Sequence, residues 1–204
     1  MHFFHLASVF VLTAAASDSD LPDIGASPSF RINANPPPDH PLSYIQGWNL
    51  SSYHISPCDD RAVFYPNDTG RIFYVNGTDD DFADRAATLH TDGGTPPWPW
   101  SVSVGAPNEA GETQGRRPVR IGCGTASPGL QVAEWPGTVY YQTGTWYVCN
   151  VTLIYGPAIA LFWREKVERT PADCLNVELQ SWCLKAGPGS EREFTRNSTC
   201  YSGF

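Results

Sequence analysis

Thr145-Trp146-Tyr147-Val148-Cys149-Asn150-Val151-Thr152-Leu153 is rich in aromatic and β-branched side chains and alternates apolar and polar residues toward its end, the composition of a strand. Tyr147, Cys149, Val151 and Leu153 share one parity. Asn150 and Thr152 share the other and belong to an N-glycosylation sequon, which needs a solvent-facing asparagine. Parity therefore turns Cys149 toward the core and Asn150 outward. Trp146 has the parity of Asn150, so its ring is either exposed or covered by a neighbouring loop.

The same reasoning extends outward along the chain. Val119, Ile121 and Cys123 oppose Arg120, and Leu175, Val177 and Leu179 oppose Glu178 and Gln180, so both segments read as strands with Cys123 facing inward. Cys174 begins the second of these, where it can meet Cys149 across a sheet edge. Phe30, Ile32 and Ala34 alternate with Arg31 and Asn33, and the proline run from Pro36 ends that strand because proline donates nothing to a ladder. Short segments at Ala62–Tyr65, Arg71–Val75, Ala87–His90, Trp100–Val104, Leu130–Trp135, Val139–Tyr141 and Ala158–Trp163 follow, separated by turn signals such as Asn76-Gly77 and Asp92-Gly93-Gly94. No apolar helical period competes, and there is no internal repeat. The expectation is an all-β protein: a single antiparallel β-sandwich or barrel-like domain over residues 30–184, stapled by disulfides.

The residues ahead of Ser17 carry the apolar run Ala7 to Leu12 and the small residues Ala14-Ala15-Ala16, so residues 1–16 read as a secretory signal peptide cleaved after Ala16. Residues 17–29, polar and acidic, read as a mobile leader. No other segment is long and apolar enough to span a bilayer, and the closing residues lack the hydrophobic tail of a glycolipid anchor. The expected product is a secreted, soluble, extracellular monomer with no membrane partner. Sequons at Asn49, Asn67, Asn76, Asn150 and Asn197 support passage through the secretory pathway. Six cysteines, Cys58, Cys123, Cys149, Cys174, Cys183 and Cys200, are an even set in that context, so disulfides are expected, with the connectivity open. A net charge of −8 makes nucleic acid an unsuitable partner.

Phe73-Tyr74-Val75-Asn76-Gly77-Thr78, Trp98-Pro99-Trp100-Ser101-Val102-Ser103-Val104, Val119-Arg120-Ile121-Gly122-Cys123-Gly124, Gly144-Thr145-Trp146-Tyr147-Val148-Cys149, Ala160-Leu161-Phe162-Trp163 and Cys174-Leu175-Asn176-Val177-Glu178-Leu179 form an ordered set. Together they resemble an uncharacterised family of secreted proteins from filamentous ascomycete fungi, described as a domain of unknown function, over roughly Phe30 to Leu184. The resemblance implies a fungal source and a β-rich fold, and it carries over no catalytic residue. Cys149 and Cys174 match the two cysteines of the family, which implies that they pair. The extension from Lys185, with Cys200, departs from the family pattern. Beside that resemblance Cys183 is assigned to Cys200, clipping a C-terminal tail of residues 185–204, and Cys58 to Cys123.

Several constellations are candidates for chemistry. Trp98, Trp100, Trp135 and Trp146 are candidate binding rings, since aromatic faces stack on sugars, although sheet cores also use aromatics. Glu109, Glu112, Glu134, Glu165, Glu168, Glu178 and Asp173 supply carboxylates from which a glycosidase pair could be drawn. Asp79-Asp80-Asp81 with Asp84 offers oxygen ligands without EF-hand spacing and reads as a solvated acidic turn. His40, His54 and His90 have no metal-binding spacing, and no nucleophile elbow or phosphate-binding glycine loop occurs. No metal or cofactor is implied. The first functional expectation is a non-enzymatic extracellular protein that binds a cell-wall glycan or a host or fungal extracellular protein. The second is a polysaccharide hydrolase using a carboxylate pair, and the third a structural wall component.

Overall fold

The computed structural model describes residues 23–107 and 115–203. The expected signal peptide, the start of the leader, Glu109 and Glu112 lie outside the described residues. The strands are β1 Asp23–Ser27, β2 Phe30–Asn35, β3 Asn49–Ser56, β4 Asp59–Tyr65, β5 Phe73–Asn76, β6 Thr88–Gly93, β7 Trp98–Val104, β8 Arg117–Gly122, β9 Leu130–Val132, β10 Val139–Tyr141, β11 Gly144–Leu153, β12 Gly156–Glu165, β13 Cys174–Asn176, β14 Glu178–Cys183 and β15 Ser198–Ser202. One short α-helix, α1 Asp79–Ala83, and two 3-10 turns, Ser43–Ile45 and Pro188–Glu191, interrupt them.

Strands β2, β5, β6, β7, β8, β4 and β3 pair in a closed antiparallel circuit, with β3 bridging β2 at Asn49 opposite Asn33 and running along β4. Closure leaves no free edge within this circuit, and the sheet ends at β1 and β13, outside it. β12 pairs with β4 at its start and with β8 further on, and carries β11 and β13 beside it. On the other side β14 pairs with β2 and leads to β15 and β1. The β14–β15 pairing is parallel, the exception in an otherwise antiparallel fold. β9 and β10 form a separate two-stranded ribbon.

The wall is apolar on both sides along part of its length. Inside, Phe30, Ile32, Phe64, Phe73, Leu89, Ile121 and Leu161 form the main core, joined by Trp146, Val148 and Trp163. Outside, Tyr53, Val63, Tyr147, Cys149, Ala160, Phe162 and Cys174 make a second cluster over β3, β4, β11, β12 and β13. This corrects the parity reading of β11. Trp146 and Val148 face the main core, while Tyr147 and Cys149 face the outer cluster, because the middle of the strand is buried on both faces and solvent reaches its ends, at Gly144 and at Asn150–Thr152. Asn150 has inward parity and is exposed only because it lies beyond the covered stretch.

The disulfides join Cys58 to Cys123, Cys149 to Cys174 and Cys183 to Cys200. Cys149 and Cys174 are directly opposed in the β11–β13 ladder, with Cα atoms 4.4 Å apart. Cys123 is exposed at the end of β8, not inward, because the bond ties it to the β3–β4 turn at the rim of the barrel. Gly122 is required there: a Cβ would fall 2.1 Å from the Cys58 carbonyl oxygen.

The leader and tail also differ from expectation. Residues 23–27 form β1, which pairs along its whole length with β15, so this part of the leader is sheet. The tail is therefore part of the fold as well as clipped to it, since β15 also meets β14 at Trp182 opposite Tyr201. Both segments are short and polar, and backbone ladder bonds together with Cys183–Cys200 hold them in place of an apolar stripe.

Candidate functional site

The β9–β10 ribbon is fastened to the barrel by two buried indoles. Trp146 Nε1 donates to the Val139 carbonyl at 2.8 Å, and Trp163 Nε1 donates to that of Tyr141 at 3.1 Å. Trp146 is thus the covered ring of the two alternatives, 6% exposed, with its polar atom satisfied as a buried indole requires. The loop between the two strands is pinned in turn. Ala133 N–H donates to Thr138 O at 2.8 Å, Ser181 N–H donates to Gly137 O at 3.0 Å, and Gly137, with φ +85°, lies flat against the backbone of Thr199 and Cys200. At the tip of this anchored loop Trp135 is 73% exposed, next to Pro136 across a cis peptide.

Trp135 stands on the wall of an open groove of about 1160 Å³. The ribbon contributes Gln131, Glu134 and Tyr140, with Gln131 Nε2 donating to the Tyr140 hydroxyl at 2.7 Å. The opposite wall comes from α1 and the segment before β15. There the Arg196 guanidinium lies 4.5 Å from the centre of the Phe82 ring and is salt-bridged to Asp79. The helix exists because Thr78 caps it: the Thr78 hydroxyl accepts the Asp81 N–H, and the Asp81 carboxylate accepts the Thr78 N–H. The Thr78 hydroxyl and then its N–H, both donating to the Asp81 carboxylate, hold that carboxyl below its ordinary range. The acidic run is therefore a capped first turn, where carboxylates are favoured, and among the described residues no cluster of metal ligands forms.

The four candidate tryptophans do not come together. Trp135 lines the groove, Trp146 is buried, and Trp98 is 68% exposed at the start of β7 without lining the groove. Trp100 is half-buried over Gly93, with the Arg71 guanidinium 5.2 Å from its ring centre. The candidate carboxylates are also dispersed. Glu165 and Glu168 both grip Arg117, at 3.0 and 2.5 Å, and the Glu168 carboxyl is held low chiefly by its hydrogen bond from that guanidinium. Asp173 receives Arg116, and Glu178 receives the Asn35 amide. Of the five that fall among the described residues, Glu134 alone lines the groove of Trp135.

The histidines are engaged locally. His40 accepts the Leu42 N–H, His54 lies 3.2 Å from an Asp60 oxygen, and His90 stacks on Tyr74, where burial lowers its pKa. Asn67, Asn150 and Asn197 are exposed. Asn49 and Asn76 are half-buried, and their amide nitrogens donate to the carbonyls of Asp68 and Glu193 at 2.9 and 2.8 Å. Phe82, Gln131, Arg85 and Arg196 are the groove residues that sequence reasoning misses. They come from three separate parts of the chain, Phe82 and Arg85 at α1, Gln131 on β9 and Arg196 before β15, which no local pattern joins.

Fold and site together define a disulfide-stapled β-barrel with an aromatic-walled open groove. The chain belongs to the family described as a domain of unknown function, DUF7907, whose model matches residues 27–183. It is also similar to "Antigenic protein SchS34" of Stachybotrys chartarum, a filamentous ascomycete, at 26% identity over 190 residues, covering 83% of each chain. No solved structure matches it. Among the described residues no helix is long and apolar enough to cross a membrane.

Proposed function

We propose that the chain is secreted and acts outside the cell by binding carbohydrate, with Trp135 as the stacking ring. The observation that carries this is the exposure of Trp135 on the wall of a large groove, at the tip of a loop whose backbone is fastened at several points. An indole left in water on a rigid support costs little further ordering when a ligand arrives. Its electron-rich face suits the weakly positive C–H faces of a sugar ring. Glu134, Gln131, Arg85 and Arg196 around it offer donors and acceptors suited to hydroxyl groups.

Extracellular location is supported by three disulfides, the five sequons and a relative described as antigenic. Glycans are assigned to Asn67, Asn150 and Asn197. Asn49 and Asn76 are half-buried with one amide N–H each committed to a carbonyl, which leaves a glycan less room than at the exposed sequons, so peptide mapping after endoglycosidase treatment should find these two bare. Asn197 lies at the groove, and Asn197→Gln should strengthen binding of an external glycan by clearing that end.

Hydrolysis is the second reading, favoured by Glu134 and Asp79 both lining the groove. Asp79, however, is 91% exposed and salt-bridged to Arg196, the opposite of the dry, unpaired setting a general acid needs. A glycan array run beside a reducing-sugar release assay on cell-wall polysaccharides separates the readings. Binding without release is expected, and release would replace binding with hydrolysis.

A further inference from the structure

Where β4 finishes and β12 begins, the end of the barrel holds a shallow hollow of about 200 Å³ that shares no residue with the groove of Trp135. Part of its lining is core: Phe64 on β4 and Ile159 on β12 are partners in the ladder and belong to the main cluster. Tyr44 and Trp48, from the 3-10 turn Ser43–Ile45 and the residues after it, add an aromatic wall. Tyr44 is 55% exposed, whereas Ile45 beside it is buried in the core. Backbone bonds fix the segment: the Trp48 N–H donates to the Ile45 carbonyl and the Ala34 N–H to that of Trp48, each at 2.9 Å. The two rings meet edge to face, with centres 5.4 Å apart. Tyr44 is thus an aromatic ring held in place and left in water, and the hollow it borders carries no charged side chain among the described residues.

Asn150 lines the same hollow and stands directly opposite Ile159 in the β11–β12 ladder. It also borders the outer face of the wall, but it shares the parity of Trp146 and Val148, so its side chain leaves the sheet on the side of the hollow. Among the described residues its carboxamide has no hydrogen-bond partner, in contrast to those of Asn49 and Asn76. Asn150-Val151-Thr152 is a sequon, and the carboxamide nitrogen is the atom to which a glycan is joined. The first sugar therefore starts at the edge of an uncharged hollow with an aromatic wall. A pyranose ring has an apolar C–H face that packs on an aromatic ring.

We infer that the first N-acetylglucosamine of the Asn150 glycan folds back into this hollow, with its apolar face on the Tyr44 ring, and covers this end of the barrel. The occupant is thus the chain's own glycan, and the contact stabilises the fold by removing the exposed ring and the apolar lining from water. The inference rests on the glycosylation of Asn150 proposed above and is independent of the ligand of the Trp135 groove.

The test is thermal melting of the secreted full-length chain from a yeast host, with Asn150 occupancy read by peptide mapping. Asn150→Gln should lower the melting temperature by about 2–4 °C, the shift one stacking contact gives a domain of this size. Thr152→Ala, which removes the sequon and keeps the asparagine, should do the same and keeps the test valid if one variant folds poorly. Trimming the glycans to a single N-acetylglucosamine should leave the melting temperature unchanged. Tyr44→Ala should lower it by a similar amount in the glycosylated chain and by at most half as much in the Asn150→Gln chain, because interacting groups are not additive. An occupied Asn150 whose loss changes nothing, a fall on trimming to one sugar, or a Tyr44→Ala effect that ignores the glycan would each overturn the inference while leaving glycosylation standing. A bare Asn150 would overturn both.

Discussion

On β11 and β12 the tryptophans point inward: Trp146 and Trp163 are packed among Val148, Leu161 and Leu175, and each indole N–H is committed to a carbonyl of the β9–β10 ribbon. At the tip of that same ribbon Trp135 stands in solvent with no packing partner comparable to these. The ribbon thus has a buried root and an exposed crown, and the same residue type serves both. Where the indole is enclosed and its N–H is matched, it stabilises the fold. Where the backbone is fastened and the ring is left in water, the ring is available to a ligand.

Perturbations of root and crown should therefore diverge. Trp146→Ala removes a large buried ring and orphans the Val139 carbonyl, and should cost about 3–5 kcal/mol in chemical denaturation. Next comes the clip that holds the chain's two outer strands: Cys183→Ser with Cys200→Ser should cost about 2–4 kcal/mol, with hydrogen exchange rising first in β1 and β15. Trp146→Phe keeps most of the volume and loses the indole hydrogen bond, for about 1 kcal/mol. Trp135→Ala should change stability by less than about 0.5 kcal/mol, since it disturbs no packed contact. If Trp135→Ala destabilised the protein as much as Trp146→Phe, the distinction between root and crown would fail.

The outer face of the wall adds a pH signature. Burial pushes the Tyr147 phenol from its ordinary value of 10.0 up to about 12. An acid whose folded pKa is raised favours the folded state fully below the unfolded value, and that contribution is lost as pH rises through the folded one. Denaturation midpoints should fall between pH 10 and 12, and Tyr147→Phe should flatten the fall.

Much of the barrel is legible from the residues: β2 by its alternation, and β4 and β12 as short apolar segments between turn signals, although their burial on both faces leaves no alternation to tell inward from outward. β3 is not, because only Leu50 and Tyr53 are buried in a run of serines and polar residues, and its place is set by pairing with β2 and β4. β1 and β15 escape for the same reason, since each is a strand by virtue of the other. The orientation of Trp146 misleads because a sequon at one end of β11 does not report on a middle that is covered on both faces. Trp135 and Glu134 can be picked out as a pair in sequence, but Phe82 and Arg196 reach the groove through β5, α1 and the approach to β15, a juxtaposition no local pattern encodes.

The most direct test is calorimetry of soluble cell-wall oligosaccharides with the unaltered chain, Trp135→Ala and Trp98→Ala, the last removing an exposed ring outside the groove. Saturable binding, weakened roughly tenfold by Trp135→Ala as expected for one lost stacking contact and untouched by Trp98→Ala, is the predicted result. Binding that survives Trp135→Ala, or no binding to any oligosaccharide, would contradict the assignment of this groove to carbohydrate.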